Sequence, residues 1–182
     1  MHTSLDGFVC GPDHKLDWVR FDDSLFEFVG TLTDQSDMAL YGRATYRIME
    51  DYWPKAADSP NASAHDKQHS TWYKSVSKVV LSRTLDPAEY PGISIVGKNL
   101  LEEINAVKQH SGKNILMLGS PSSAHSLMKL GLIDEFWIFV NPILLGQGIP
   151  IWNYGDKLVK LSLLESKVFV CGVVGLHYAN SG

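Results

Sequence analysis

The sequence predicts a single α/β domain, spanning residues 1–182, with a central, mostly parallel sheet, helices on both faces and an antiparallel C-terminal hairpin. Two observations predict this fold class. Short apolar runs bounded by polar or glycine residues, typical of buried strands, alternate with helical segments along most of the chain. The C-terminal part then changes to strongly β-prone sequence. A chain of 182 residues can bury a substantial core as one domain.

The individual elements follow from these runs and their boundaries. Strands are predicted at Met38–Tyr41, Lys78–Leu81, Ile93–Val96, Asn114–Leu118 and Glu135–Val140. Helices are predicted at Ser24–Thr33, Ala44–Glu50, Ser63–Ser75, Asn99–Gln109 and Ser122–Leu130. The hairpin is predicted from Leu158–Glu165 and Val168–Tyr178, with Ser166-Lys167 as its turn. We interpret Pro54–Ser63 as a surface loop and not as a domain boundary, because the segments on either side are too short to fold as separate domains.

Composition limits the classes of function. The net charge of −4 gives no electrostatic reason to expect a nucleic-acid partner, since a phosphate-binding surface needs excess Lys and Arg. No apolar run reaches the roughly 18 to 20 residues that span a bilayer, and no signal peptide is visible, so we expect a cytoplasmic protein without membrane contact. Cys10 and Cys171 lack metal-site spacing and are expected to be buried free thiols, and no histidine spacing indicates a metal site.

Three strand ends carry residues suited to phosphate groups. In the first, a strand ends at Gly42 and a helix begins, so backbone N–H groups, Arg43 and the Thr45 hydroxyl can hold a phosphate. In the second, Ser82 and Arg83 follow a strand and suit the 2′-phosphate that distinguishes NADPH from NADH. Each junction alone is also compatible with an ordinary surface turn.

The third junction runs from Leu118 through Gly119 and Ser120 to Ser122. Glycine lets the backbone approach a pyrophosphate closely, and the serines offer N–H and O–H donors, although Ser122 could equally be a simple helix cap. The motif is neither GxGxxG nor a Walker loop. Three such junctions at successive strand ends form a stronger pattern than any one of them.

The N-terminal segment supplies the candidates for chemistry. Asp6 lies in a turn-forming Asp-Gly pair, where a turn former is the commoner role than a catalytic acid. Trp18 offers a flat surface for stacking on a ring. The pair Asp22-Asp23 is a second candidate for the proton donor. Farther along, the apolar, glycine-rich loop at 141–152 suits a subunit interface, or else packs on its own core.

Together these residues resemble a known family. The segments SLDGF, GPDHKLDW, LYGRATY, VVLSRTL, LMLGS and LIDEFWIFVNPILLGQGIPIW occur in the order typical of the dihydrofolate-reductase-like superfamily. More closely, they are similar to the reductase domain of the bifunctional riboflavin-biosynthesis deaminase-reductase and its stand-alone bacterial relatives. The resemblance implies a three-layer fold with a central mixed sheet, NADPH as cofactor and, often, a homodimer.

The resemblance also assigns roles to the residues above. Gly42, Arg43 and Thr45 would lie by the cofactor phosphates, and Ser82 and Arg83 by the adenosine 2′-phosphate. Gly119, Ser120 and Ser122 would hold the pyrophosphate, and Leu118 would be a further cofactor-binding residue. Thr3–Gly7, which includes Ser4, would border the nicotinamide, with Asp6 and Trp18 toward the substrate.

Three departures from the family pattern matter. Only three residues precede Ser4, so either the first strand is short or the numbered chain lacks its native start. The usual Gly-Gly after the fifth strand is Gly119-Ser120, which leaves the second position less free. The zinc-deaminase signature is absent, which weakens the inference that riboflavin precursors are the substrate.

The leading hypothesis is therefore an NADPH-dependent reductase of a small heterocycle, either a pterin or a ribosylamino-pyrimidine. The alternative is a non-catalytic protein with the same fold that binds NADP or a flavin and acts as a sensor or interaction module. This alternative stays open because the sequence does not identify a proton donor.

Overall fold

The computed structural model describes residues 1–110, 112–153 and 158–182. Backbone contacts group the chain into two compact units. The terminal unit comprises Met1–Leu25 and Ala124–Gly182, and the central unit comprises Phe26–Ser123. Among the described residues no helix is both long and apolar enough to cross a membrane.

Strands and helices alternate through most of the chain, as the apolar runs predict. The strands are β1 His2–Ser4, β2 Phe8–Cys10, β3 Ser36–Gly42, β4 Ser77–Leu81, β5 Ser94–Val96, β6 Asn114–Met117, β7 Glu135–Asn141, β8 Ile149–Pro150, β9 Leu161–Val168 and β10 Val174–Asn180. The helices are α1 Asp23–Asp34, α2 Arg43–Ala56, α3 Ala64–Ser75, α4 Leu100–Lys108 and α5 Pro121–Lys129, with a 3-10 turn at Pro87–Glu89.

The central unit is built on a four-stranded, wholly parallel sheet in the order β5-β4-β3-β6. Its inner strands each contain a short apolar run that is largely buried, Met38–Tyr41 in β3 and Val79–Leu81 in β4, as expected for a parallel sheet covered by helices. Aromatic residues dominate the core beside this sheet. The buried members of that core are Ala39, Tyr41, Tyr46, Trp72, Tyr73, Val76, Val80 and Leu85.

Local signals set the helix boundaries of the central unit. Ser63 and Asp66 form a reciprocal capping box, which starts α3 at the position where the sequence predicts a helix. The predicted loop at Pro54–Ser63 begins later than expected, because α2 continues through Pro54 to Ala56. Burial of Ala56 offsets the single backbone hydrogen bond that a proline removes near the end of a helix.

The terminal unit contains a second four-stranded sheet, in the order β1-β7-β10-β9. The pair β1–β7 is parallel, whereas β10 is antiparallel to both β7 and β9. The antiparallel C-terminal hairpin is thus confirmed, but the predicted turn at Ser166-Lys167 is wrong. The chain turns between Phe169 and Val173, where both end residues are buried and Gly172 adopts a φ of 84°.

Asn141, at the end of β7, is the main polar anchor inside the terminal unit. It is completely buried, and its side-chain amide donates to the carbonyls of Thr3 and Phe139 and to Nδ1 of His2. Its Oδ1 accepts from the backbone N–H of Arg20. Burial lowers the pKa of His2 to about 3, with the N-terminal charge as a second cause, so its ring is neutral and can accept this hydrogen bond.

We expect Asn141→Ala to lower the free energy of unfolding by about 2–4 kcal/mol, because it leaves several buried backbone groups without their partner. Chemical denaturation measures this. Asn99→Ala is the matched control, since the Asn99 side chain makes no capping hydrogen bond, and it should change stability by less than about 0.5 kcal/mol. Equal effects of the two substitutions would contradict the anchoring role of Asn141.

Candidate functional site

The carboxyl ends of the four parallel strands lie along one edge of the central unit's sheet. Register places Gly42 of β3 beside Leu81 of β4, and Leu81 beside Val96 of β5. On the other side, Met117 of β6 pairs with Leu40 of β3. Because ligands of open α/β sheets bind beyond such carboxyl ends, this edge is the natural place for a cofactor. The three strand-to-helix or strand-to-loop junctions that the sequence predicts to bind phosphate groups all lie at this edge.

Two of the junctions are joined by a buried hydrogen bond. The Gly42 N–H, at the start of α2, donates to Oγ of Ser120 over 2.9 Å. The methyl group of Thr45 packs toward Gly119, since a Cβ atom added to Gly119 would lie 3.7 Å from that methyl group. Gly42, Thr45, Gly119 and Ser120 therefore lie together at the N-termini of α2 and α5. Backbone N–H groups at such helix starts favour anions.

The turn into α5 has an unusual backbone. Gly119 and Ser120 both adopt left-handed conformations, with φ of 60° and 58°. Serine is strained there by comparison with glycine, and Ser120 is also buried. Its Oγ compensates by accepting from Gly42 and donating to the carbonyl of Leu118. This hydrogen bonding accounts for a serine at the position where the family pattern has a second glycine.

The second junction, at Ser82 and Arg83, is tied to the first by Thr84, which sequence reasoning missed. Nη1 of Arg43 donates to Oγ1 of Thr84 over 2.7 Å. Oγ of Ser82 in turn accepts from the backbone N–H groups of Thr84 and Leu85. The loop after β4 is thereby held beside the start of α2, with the exposed side chain of Arg83 on the same loop. Two guanidinium groups thus flank this part of the edge.

The end of β5 carries a further feature without a sequence signal. Oε2 of Glu103 accepts from the N–H groups of Gly97 and Asn99, at 2.7 and 3.3 Å. This carboxylate therefore links the N–H of Gly97, just after β5, to that of Asn99, the residue before α4.

In the terminal unit, Asp6 has the geometry of a loop clamp. Its two carboxylate oxygens accept from the backbone N–H groups of Leu145 and Gly146, at 3.1 and 2.7 Å. A hydrogen bond from Ser4, followed by those from Gly146 and Leu145, holds the pKa of this exposed carboxyl below its usual range. An ionised carboxylate is a poor proton donor, so this geometry favours the turn-forming role of Asp6.

Asp22, the other acidic candidate, is also engaged in structure. Its Oδ1 accepts from the Ser24 hydroxyl and the Leu25 N–H, which caps α1. Its Oδ2 accepts from the N–H of Cys171. The Ser24 hydrogen bond is the largest cause that lowers the Asp22 pKa to about 2. Asp22 is therefore ionised at neutral pH, like Asp6.

The remaining candidates in the terminal unit are Ser4 and Trp18. Ser4 is buried, and its Oγ accepts from the N–H of Phe8, which closes the turn after β1. Trp18 is half-buried, and its Nε1 donates to the carbonyl of Lys15. The ring of Trp18 is accordingly held by the segment that precedes α1.

Each unit also has a cavity. In the terminal unit, a cavity of about 480 Å³ adjoins Ser4 and Leu5 and extends along the sheet to Leu176 and Tyr178. The larger cavity of the central unit, about 610 Å³, opens near Ser36, at the amino end of β3. It is remote from the strand ends where α/β sheets bind ligands. Among the described residues, no cluster of His, Cys, Asp or Glu could hold a metal ion.

Comparison with known proteins identifies the family. A family model described as the RibD C-terminal domain matches residues 1–175. The chain belongs to the RibD C-terminal domain family. The uncharacterized protein YyaP of Bacillus subtilis (strain 168) is 32% identical over 182 residues, which cover 99% of this chain and 92% of YyaP.

Solved structures agree on the fold. A protein from Shewanella sp. PV-4, described as a riboflavin biosynthesis protein, matches with a TM-score of 0.76 and 23% identity, covering 100% of this chain and 97% of that one. Dihydrofolate reductase from Enterococcus faecalis, complexed with NADP(H), matches with a TM-score of 0.62 and 13% identity, covering 100% and 94%. The dihydrofolate-reductase-like fold and the family expected from the motifs are confirmed, and the family places the chain among the oxidoreductases.

The left-handed turn allows a direct test of its serine. We expect Ser120→Ala to destabilise the protein by about 1–3 kcal/mol, because the buried Gly42 N–H loses its acceptor while the strain remains. Ser120→Gly loses the same acceptor but relieves the strain, so it should be about 1 kcal/mol more stable than Ser120→Ala. Thermal or chemical unfolding of both variants measures the difference, and an alanine variant at least as stable as the glycine variant would contradict this account.

Proposed function

We propose that the protein is an NADPH-dependent reductase that transfers a hydride to a small heterocyclic substrate, either a pterin or a ribosylamino-pyrimidine of riboflavin biosynthesis. The observation that carries the proposal is the shared edge of the parallel sheet, where Gly42, Arg43, Ser82 and Ser120 meet through hydrogen bonds. Membership of the RibD C-terminal domain family supports the reductase class.

The residues of this edge suit the anionic groups of NADPH. In the proposal, the N-termini of α2 and α5, with Gly42, Arg43, Thr45, Gly119, Ser120 and Ser122, hold the pyrophosphate. Ser82 and Arg83 hold the 2′-phosphate, because a guanidinium pairs with phosphate through two parallel hydrogen bonds. NADPH, when bound, supplies the hydride, and the protein's part is to position the reactants and exclude water.

One observation favours the alternative of a non-catalytic NADP-binding sensor. Asp6 and Asp22 both have lowered pKa values and accept backbone hydrogen bonds, so neither is suited to give a proton at neutral pH. A reductase of this design therefore takes its proton from water. Adding pterins or ribosylamino-pyrimidines to the protein with NADPH, and following NADPH absorbance, separates the two functions. Oxidation supports the reductase, whereas tight NADPH binding without oxidation by either class supports the sensor.

The 2′-phosphate assignment predicts a selective effect of Arg83. We expect Arg83→Ala to weaken NADPH binding about 10- to 100-fold while NADH binding changes less than about twofold, because only NADPH carries the phosphate. Calorimetric or fluorescence titration measures both constants. Lys74→Ala, which removes an exposed cation at the end of α3, is the matched control. Equal losses for the two cofactors would remove Arg83 from the 2′-phosphate site.

We also propose that the protein is a homodimer that associates through β9. This edge strand exposes large apolar side chains, including Leu163 at 55% and Val168 at 75% exposure. Leu163 pairs with Tyr178, so both project from the sheet face that lines the cavity of the terminal unit. Antiparallel pairing of β9 with a second copy about Ser166 would set Glu165 beside the opposite charge of Lys167.

The proposed dimer predicts an effect of charge at this edge. Leu163→Glu should convert a dimer at micromolar concentration into a monomer, because the substitution buries a carboxylate at the interface. Sedimentation equilibrium measures the mass. Ile48→Glu, a substitution at an exposed position on α2, should leave the dimer intact. A monomeric wild-type protein, or a dimer that persists in Leu163→Glu, would exclude this interface.

A further inference from the structure

Glu103 lies at the same sheet edge, where it has no role in the proposal above. It follows Leu100, the first residue of α4, by three positions, and its carboxylate turns back to the N–H groups of Gly97 and Asn99. The Asn99 side chain makes no capping hydrogen bond, and the Glu103 carboxylate instead binds the backbone just before the helix. The result is a fixed negative charge at the end of β5.

Gly97 connects this charge to the proposed 2′-phosphate site. The Ser82 N–H donates to the carbonyl of Val96, the residue before Gly97. A Cβ built on Gly97 would lie 2.7 Å from the carbonyl oxygen of Ser82 and 3.4 Å from Cγ of Arg83. Glu103 binds the N–H of the same glycine at 2.7 Å. Ser82, Arg83 and Glu103 therefore surround one residue, with a cation and an anion on opposite chain segments.

We infer that Glu103 is a specificity-determining residue that opposes Arg83 in the choice between NADPH and NADH. The inference rests on the proposed function. A carboxylate near the ribose accepts a hydrogen bond from a 2′-hydroxyl, which NADH carries, and repels a 2′-phosphate, which NADPH carries. Arg83 has the reverse preference. The relative affinity of this sheet edge for NADPH and NADH then depends on both charges. Arg83 increases the preference for NADPH, and Glu103 reduces it.

Glu103→Gln tests this inference, because glutamine removes the charge and keeps an oxygen that can accept from Gly97 and Asn99. The dissociation constants of NADPH and NADH are measured by titration at low salt. We expect the ratio of the NADH constant to the NADPH constant to rise about three- to fifteenfold, as for loss of one negative charge about 5–10 Å from a phosphate of charge about −1.5 to −2 in a water-like medium. Glu102→Gln is the matched control, since it removes the same charge from the neighbouring position and should leave the ratio unchanged.

The possible results of this experiment separate a failure of the Glu103 inference from a failure of the proposed NADPH-dependent function. If the wild-type protein prefers NADPH and Glu103→Gln leaves the ratio unchanged, or shifts it no more than Glu102→Gln does, the role of Glu103 is wrong and the cofactor assignment stands. If the wild-type protein binds neither cofactor, the proposed function fails and the inference fails with it. Thermal unfolding of Glu103→Gln confirms that a changed ratio comes from a folded protein.

Discussion

The parallel alignment of β3, β4, β5 and β6 is the constraint on which the candidate site depends. Parallel strands bring every carboxyl end to one edge, and the register sets those ends side by side. Helices that follow the strands then begin at this edge and present their free N–H groups there. Residues far apart in the chain, such as Gly42 and Ser120, become hydrogen-bond partners for this reason.

The edge is also selective in how it uses its polar groups. At the end of β5 the carboxylate of Glu103 accepts from the N–H groups of Gly97 and Asn99, just before α4. At α2 and α5 the protein instead provides Arg43, Thr45 and the backbone around Gly119, which suit an external anion. In the terminal unit, by contrast, Asp6 and Asp22 both accept hydrogen bonds from backbone N–H groups. These acidic side chains therefore stabilise the fold of the loops around them.

Much of the fold and of the candidate site could be predicted from the sequence. The apolar strand segments and the small polar residues after them are local features, so the junctions at Gly42, Ser82 and Gly119 could be predicted. Local patterns cannot reveal partners that only the tertiary fold brings together, and so Thr84 was missed as the partner of Arg43. The hairpin turn was misplaced for a related reason. Its ends, Phe169 and Val173, are apolar and buried, and resemble strand residues in the sequence.

A crystal structure of the protein with NADPH tests the central claim most directly. The account predicts the 2′-phosphate within hydrogen-bonding distance of Ser82 and Arg83. It also predicts the pyrophosphate against the backbone at Gly42 and at Gly119-Ser120. Phosphates bound elsewhere, or crystals that take up no cofactor at saturating concentration, would contradict the claim that this sheet edge is the cofactor site.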